Sequence, residues 1–228
     1  MSAGDFQQPD RAAEETVAFL LALRERGIRD TALLRAMEMA PRPLFAPRRL
    51  GDLARADISL PLSCGQTMTA PRIIATMVAA LKVLPEHRVF EVGTGSGYQS
   101  AVLGRLAAQV VSVERYRTLA LAAAERLATI GLSQVLVLPG DGLSAETVAG
   151  QRFDRIMLNG SVAGEIPVSL LARLDPGGLL VGAQMHGGEP QLVRVTRQET
   201  EEGEPAFVRE ILGTIRLPPL AHGVARVL

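Results

Sequence analysis

Apolar residues fall along this chain in two rhythms. Near the N-terminus they recur at helical spacing, first Val17, Phe19, Leu20 and Leu23, then Leu33, Leu34 and Met37. That spacing predicts two amphipathic helices. The first runs from a cap at Asp10 to about Arg26 with Gly27 as its stop; the second is capped by Asp30 and ends before Pro41. Residues 1–9 read as a disordered lead. Residues 42–69 carry little periodicity and hold Pro43, Pro47 and Pro61. An irregular stretch of that length is usually functional or mobile. Pro71 suits the first turn of a third helix, which continues through Ile73, Ile74, Met77, Val78 and Leu81.

From Arg88 onward the rhythm changes to short apolar runs alternating with longer helical segments. A strand opening at Arg88 is followed by strands at 109–113, 134–138, 153–158 and 179–183, with helices at 99–107, 117–130 and 167–174. Strand–helix alternation implies a mostly parallel sheet with helices on both faces and right-handed crossovers, an α/β fold of Rossmann-like type. Two last runs, 191–197 and 206–215, flank the acidic segment QETEEGEP and predict an appended antiparallel hairpin. The expected organisation is one domain: a helical extension and loop over residues 1–70, and an α/β core over 71–228.

The chemistry concentrates around RVFEVGTGSGY, residues 88–98. Glycines at Gly93, Gly95 and Gly97 allow a tight turn and close approach of backbone to a ligand. The dinucleotide fingerprint G-x-G-x-x-G is not matched, because Tyr98 stands at its third glycine. Ligands of open α/β sheets bind at the carboxyl ends of the strands, and three acids fall there: Glu91, Glu114 and Asp141. A carboxylate at Glu91 suits a cationic or amino-bearing ligand. Glu114, one βα unit on, suits ribose hydroxyls. Asp141, between Gly140 and Gly142, is placed to reach an adenine amino group. Together they describe a pocket for an adenosine carrying positive charge, as in S-adenosylmethionine. Upstream, CGQTMTAP brings the hydroxyls of Thr67 and Thr69 to the N-terminus of the helix opening at Pro71, a candidate anion site or an ordinary capping loop.

Composition removes other classes. Lys plus Arg equals Asp plus Glu at 24 each, so no net charge points to nucleic acid or an anionic membrane. No uncharged apolar run is long enough to span a bilayer. The first residues carry acids and no apolar core, unlike a secretory leader. Cys64 is the only cysteine, so no intrachain disulfide forms; it is expected as a small buried hydrophobe. His87, His186 and His222 lack metal-ligand spacing, and no metal is expected. There is no G-x-S-x-G elbow or Walker lysine. A cytoplasmic enzyme, and a monomer, is the expectation.

The chain resembles the protein-L-isoaspartate (D-aspartate) O-methyltransferase family over most of its length. RGIRDTALLRAMEMAPRPLFAP is similar to that family's N-terminal helical segment, DISLPLSCGQTMTAP to its substrate loop and RVFEVGTGSGYQSAVL to its cofactor loop. GDG and FDRIMLNGSVAGEIPVSLLARLDPGGLLV resemble later blocks. The resemblance implies S-adenosylmethionine as cofactor and isoaspartyl proteins or peptides as partners. It implies cofactor contacts at Glu91, Gly93, Thr94, Gly95, Glu114, Asp141 and Gly142, and substrate contacts at Thr67 and Thr69. Thr69 stands where the family has serine. Residues 158–161, LNGS, stand where it more often has small residues with a threonine. A divergent protein of the same fold, binding the cofactor but acting on another substrate or none, is the alternative. A nicotinamide-dependent oxidoreductase is a third reading, opposed by Tyr98 and Glu91.

Overall fold

A computed structural model describes residues 11–225. The expected lead at 1–9 and the cap at Asp10 lie outside them. Helix α1 (Arg11–Glu25) buries Phe19 and Leu23, while Val17, expected on the same face, is exposed. It ends where Gly27 takes a φ of 93°, so that the Ile28 amide can reach back to the Leu23 carbonyl at 3.1 Å. Helix α2 (Thr31–Met39) begins where the Asp30 carboxylate accepts the Leu33 amide at 3.0 Å. Its buried stripe is Leu33, Leu34, Ala36 and Met37. Asp30→Ala removes that cap and should lower stability by about 1 kcal/mol, read as a shifted urea midpoint with unchanged slope.

The stretch 42–69 is built from short pieces. They are α3 (Arg42–Phe45), a 3₁₀ segment (Arg48–Leu53), and two strands of two residues, β1 (Leu60–Pro61) and β2 (Thr67–Met68), paired antiparallel. The turn between those strands carries Cys64 at φ 60° and Gly65 at φ 64°. Cys64 is half-buried rather than buried, with its Sγ 3.4 Å from Thr118 Oγ1. Helix α4 (Pro71–Leu81) follows and buries Ile74, Met77, Val78 and Leu81.

The main sheet has seven strands: β3 (Arg88–Val92), β4 (Gln109–Glu114), β5 (Val135–Pro139), β6 (Phe153–Val162), β7 (Leu174–His186), β8 (Glu189–Glu199) and β9 (Pro205–Thr214). Their spatial order is β5-β4-β3-β6-β7-β8-β9. The first five strands pair in parallel; β8 and β9 are antiparallel to their neighbours. The chain moves outward from β3 to β5, then returns to the other side of β3 at β6. That reversal opens a crevice at the carboxyl ends of β3, β4 and β6.

Alternation along the strands feeds two cores. Val89 and Val110 face α1, α2, α4 and α5 (Tyr98–Gly104), while Phe90, Val92, Val111 and Val113 face the opposite layer. In that second core the Phe90 and Phe153 rings stack with centroids 5.2 Å apart. Helix α6 (Arg117–Thr129) covers β4 and β5.

Element lengths depart from expectation where bulges intervene. The expected helix at 167–174 shrinks to α7 (Val168–Leu171). The Arg173 carbonyl accepts the Phe153 amide at 2.8 Å, drawing the chain into the sheet, so Leu174 opens β7. Asp175, Pro176, Gly177 and Gly178 then form an irregularity inside that strand, pairing Phe153 with Leu174 but Arg155 with Leu179. A Pro-Gly-Gly sequence reads as a helix stop; here it is a bulge in a 13-residue strand. β6 likewise runs past the expected end at Leu158 to Val162, with a register shift between Met157 and Ser161. The helix expected at 99–107 ends at Gly104.

Candidate active site

The glycine turn is the floor of a cleft. After β3 the chain passes Gly93 at φ 90°, Gly95 at φ 56° and Gly97 at φ 89°, three left-handed positions in five residues. A side chain is strained at each. At Gly97 a Cβ would also stand 3.1 Å from Ala123. The turn is pinned at two points: the Gly93 amide donates to the Val113 carbonyl at 2.8 Å, and the Gly95 amide to Glu114 Oε2 at 2.8 Å. The cleft encloses about 870 Å³, part of it open to solvent. Its walls include Gln66, Thr67, Met68 and Thr69 on the loop before α4, the glycine turn, the ends of β4 and β6, and the C-terminal segment.

Seven of the expected site residues line that cleft: Thr67, Thr69, Gly93, Thr94, Gly95, Glu114 and Gly142. Gly142 must stay small, because a Cβ there would sit 2.7 Å from Val92 Cγ1. Thr67 is exposed and Thr69 half-buried. Thr94 is buried and shares a 2.6 Å hydrogen bond with Ser112. Glu114 is buried, and its second oxygen accepts the Tyr116 amide at 3.0 Å.

Two expected residues sit elsewhere. Glu91, expected to meet a cationic ligand at the strand end, lies instead beneath the floor, fully buried. Ser100, Ser112 at 2.6 Å and Asn159 Nδ2 at 2.8 Å donate to its carboxylate. Ser112 is its register partner on β4, so the two share one face of the sheet. Burial pushes the Glu91 carboxyl up from 4.5 to about 7; the three donors oppose this, and the Glu114 charge adds to it. Asp141 accepts the amides of Leu143 at 2.9 Å and Gly223 at 2.8 Å, with His222 Nδ1 3.5 Å away. Burial opposes its ionisation, but those amides and His222 outweigh it and hold the carboxyl below its ordinary range. The first-turn amides of α4 are not all free either: Asp57 takes the Arg72 amide at 3.0 Å.

Several wall residues are new relative to the sequence reading. The C-terminal segment lays Pro218, Pro219, Leu220 and Ala221 along the cleft. It is bonded to β6 through Ser161, whose amide donates to the Pro218 carbonyl at 2.8 Å and whose carbonyl accepts the Leu220 amide at 2.8 Å. This segment takes the position beside β6 that β3 vacates when it turns away after Val92. Arg115 holds the next residues by donating to the Gly223 carbonyl at 3.1 Å. Nothing in the sequence signals this long-range pairing.

Gln99 and Asn159 line the cleft as well. Gln99 Nε2 and Asn159 Oδ1 are buried without protein partners, one a donor and one an acceptor. Asn159 Nδ2 meanwhile donates to both Glu91 and the Gly93 carbonyl, which fixes the direction of its amide. An unpaired donor and an unpaired acceptor in one cleft fit a ligand carrying both a carboxylate and an ammonium. The amino-acid end of S-adenosylmethionine has that pair. Among the described residues no three His, Cys, Asp or Glu side chains gather as a metal-ligand set, and no helix is long and apolar enough to cross a membrane.

A crevice at the switch point of a parallel sheet, floored by G-x-G-x-G and edged by an acid on the next strand, defines an S-adenosylmethionine-dependent methyltransferase. Comparison narrows the class. The sequence profile of the protein-L-isoaspartate(D-aspartate) O-methyltransferase family matches residues 14–217, and the chain belongs to that family. Protein-L-isoaspartate O-methyltransferase of Bradyrhizobium sp. (strain ORS 278) is 45% identical over 96% of this chain and 100% of its own length. That of Azorhizobium caulinodans is 43% identical over 94% of this chain and 96% of its own. A Plasmodium falciparum structure assigned to the same activity, in complex with S-adenosyl-L-homocysteine, shares the fold with TM-score 0.75 at 20% identity, covering 90% of this chain and 97% of that one.

Proposed function

We infer that this chain transfers a methyl group from S-adenosylmethionine to the α-carboxylate of L-isoaspartyl and D-aspartyl residues in damaged proteins, the step that initiates their repair. The observation that carries the mechanism is that Thr67, Thr69 and the glycine turn line one cleft. The cofactor, when bound, supplies an activated methyl on a sulfonium.

The chain's own task is placement. An isoaspartyl α-carboxylate is ionised at neutral pH, since such groups have pKa values of roughly 3.5 to 4. No general base is needed. Thr69, assisted by Thr67, holds the carboxylate by hydroxyl donation. Gly93, Thr94 and Gly95 set the floor against which the methyl donor lies, and Glu114 takes the ribose. Gly142 leaves room for the base, while Glu91 and Asp141 act behind the wall, fixing Asn159 and the C-terminal segment. Reacting atoms must be brought to about 3 to 3.5 Å in line. The irregular stretch and the C-terminal segment exclude water from a step in which two charges cancel. Residues 1–70 contribute the substrate side and 71–228 the cofactor side of one catalytic domain, working as a cytoplasmic monomer.

Labelled S-adenosylmethionine with an isoaspartyl peptide should give label in the peptide, and none with the aspartyl control. Cofactor binding without turnover on either peptide would select the divergent protein instead. Thr69→Ser keeps the hydroxyl and frees χ1, so its activity should equal or exceed wild type. Thr69→Val removes a hydrogen bond to a charged group, worth about 1.5–3 kcal/mol, and should lower kcat/KM for the peptide by roughly 10- to 100-fold. A serine variant with a large loss would show that the loop works otherwise.

A further inference from the structure

Arg42 is 2% exposed, yet among the described ion pairs no acid touches it. Asp57, the nearest charge of opposite sign, is engaged with Arg26 at 3.0 Å and Arg72 at 3.2 Å. The guanidinium is surrounded by carbonyl oxygens instead. One terminal nitrogen donates to Ala54 and, at 3.4 Å, to Ala56; the other donates to Ile58 at 3.1 Å and to Thr69 at 3.1 Å. Its plane lies 5.7 Å from the centre of the Tyr98 ring. Tyr98 is the residue that follows the glycine turn, and it also packs on Phe45 with ring centroids 5.8 Å apart.

This set of contacts has a clear physical purpose. Backbone from 54 to 58 is irregular: the Ala56 carbonyl takes the Ile58 amide at 2.8 Å, while the carbonyls of Ala54 and Ile58 lie outside any helix or strand and must find donors when buried. A forked, permanently charged group with five donors can gather several at once. Three of those carbonyls belong to residues 54–58, and the fourth belongs to Thr69. The side chain thus ties the backbone of the hydroxyl-bearing loop to the rest of the extension on one side, and touches the cofactor-side turn through Tyr98 on the other.

We propose that Arg42 is the positioning residue of the substrate side: it fixes the Thr69 backbone, and thereby the hydroxyl that meets the isoaspartyl carboxylate. This rests on the function inferred above for Thr69. The effect falls on peptide binding more than on turnover. Arg42 supports the loop that grips a charged carboxylate, and that charge disappears as the ester forms, so its help is greatest in the ground state.

Arg42→Lys keeps the charge but not the fork, and an ammonium cannot span the four carbonyls. Its peptide KM should rise about tenfold, the equivalent of one charge-assisted hydrogen bond, while S-adenosylhomocysteine affinity changes less than about twofold. The variant Thr69→Val supplies the decisive arm. With the hydroxyl gone, misplacing it costs nothing more, so Arg42→Lys in a Thr69→Val background should add no further rise in peptide KM. Additive effects, or equal losses of peptide and cofactor binding, would reduce Arg42 to general packing and overturn the proposal. Amide hydrogen exchange gives a readout free of any substrate. Residues 67–70 should exchange about tenfold faster in Arg42→Lys, with β4 and α6 unchanged. Unchanged exchange at 67–70 would sink the clamp whatever the activity. Faster exchange there, in a protein whose wild type ignores isoaspartyl peptide, would uphold the clamp and reject the substrate assignment.

Discussion

Glu114→Ala should weaken S-adenosylhomocysteine binding by about 100- to 1000-fold. The Glu114 carboxylate accepts two backbone amides, Gly95 from the glycine turn and Tyr116 from the start of the next helix. Hydrogen bonds to a charged group contribute about 1.5–3 kcal/mol each. Alanine removes both, together with the acceptors proposed for the ribose, and leaves the Gly95 amide without its partner. The turn then loses one of its two anchors, the other being the Gly93 bond to Val113. Glu114→Gln is the instructive intermediate. Its amide has one acceptor oxygen where two are needed, so one of the two backbone donors must face an NH₂ group. Its affinity should fall between wild type and alanine. Titration calorimetry with S-adenosylhomocysteine reads all three directly. If alanine bound within a few-fold of wild type, Glu114 would be only a brace for the turn and the ribose would lie elsewhere. A parallel urea titration separates that result from a loss of fold.

The parts of this molecule that sequence reveals are those set by local periodicity and by glycine. The glycine turn, the cap at Asp30, Pro71 in the first turn of its helix, and the strand–helix alternation each depend on a few neighbouring residues, and each is found where expected. What escapes is set by distant backbone. Asp141 reads as an acid between glycines at a strand end, but one of its two amide partners is Gly223, 82 residues later. Nothing near position 141 encodes that. Residues 218–221 line the cleft only because β3 turns away and leaves β6 with open hydrogen-bonding groups. Glu91 is a different case. Its face was legible, since it shares strand parity with Val89, which packs against the helical layer. Three donors close over it from α5, β4 and β6, and only the folded sheet brings Ser100, Ser112 and Asn159 to one point. Strand lengths were misjudged for a related reason. A bulge at Asp175 to Gly178 looks locally like the end of an element.

Arg42 belongs to the same lesson. An arginine among prolines in an irregular stretch carries no periodic signal, and its four carbonyl partners span residues 54 to 69. Its burial follows from the hydrogen-bonding needs of backbone that forms neither helix nor sheet. The side of the cleft that carries Thr69 is thus organised by carbonyls of irregular backbone around a cation. The cofactor side is organised by unpaired amides around an anion, Glu114. The two halves meet at Tyr98, whose ring lies against Arg42 and whose backbone begins α5 directly after the turn.

The buried acid predicts the protein's response to pH. Glu91 holds its proton more tightly when folded, because burial raises its pKa from 4.5 to about 7. Between those values the native state binds more protons than the unfolded chain. Stability from this group is therefore fully present at low pH and declines as pH rises through the window from the ordinary value to about 7. At roughly 1.4 kcal/mol per unit, the loss between pH 5 and pH 8 is about 2–3 kcal/mol. Glu91→Gln has nearly the same shape and no charge to bury. Asn159 can still donate to its oxygen, and the hydroxyls of Ser100 and Ser112 can rotate to accept from its NH₂. Urea titrations of both proteins at pH 5 and pH 8 should show the glutamine variant gaining on wild type by about that 2–3 kcal/mol as pH rises, with all other titrating groups cancelling in the difference. Cofactor affinity should stay near wild type, since the side chain lies under the floor and not on the wall. Parallel stability curves would mean that Glu91 titrates alike folded and unfolded. A large loss of affinity in the variant would mean that the carboxylate reaches the ligand after all, through Asn159 or a shift of the turn.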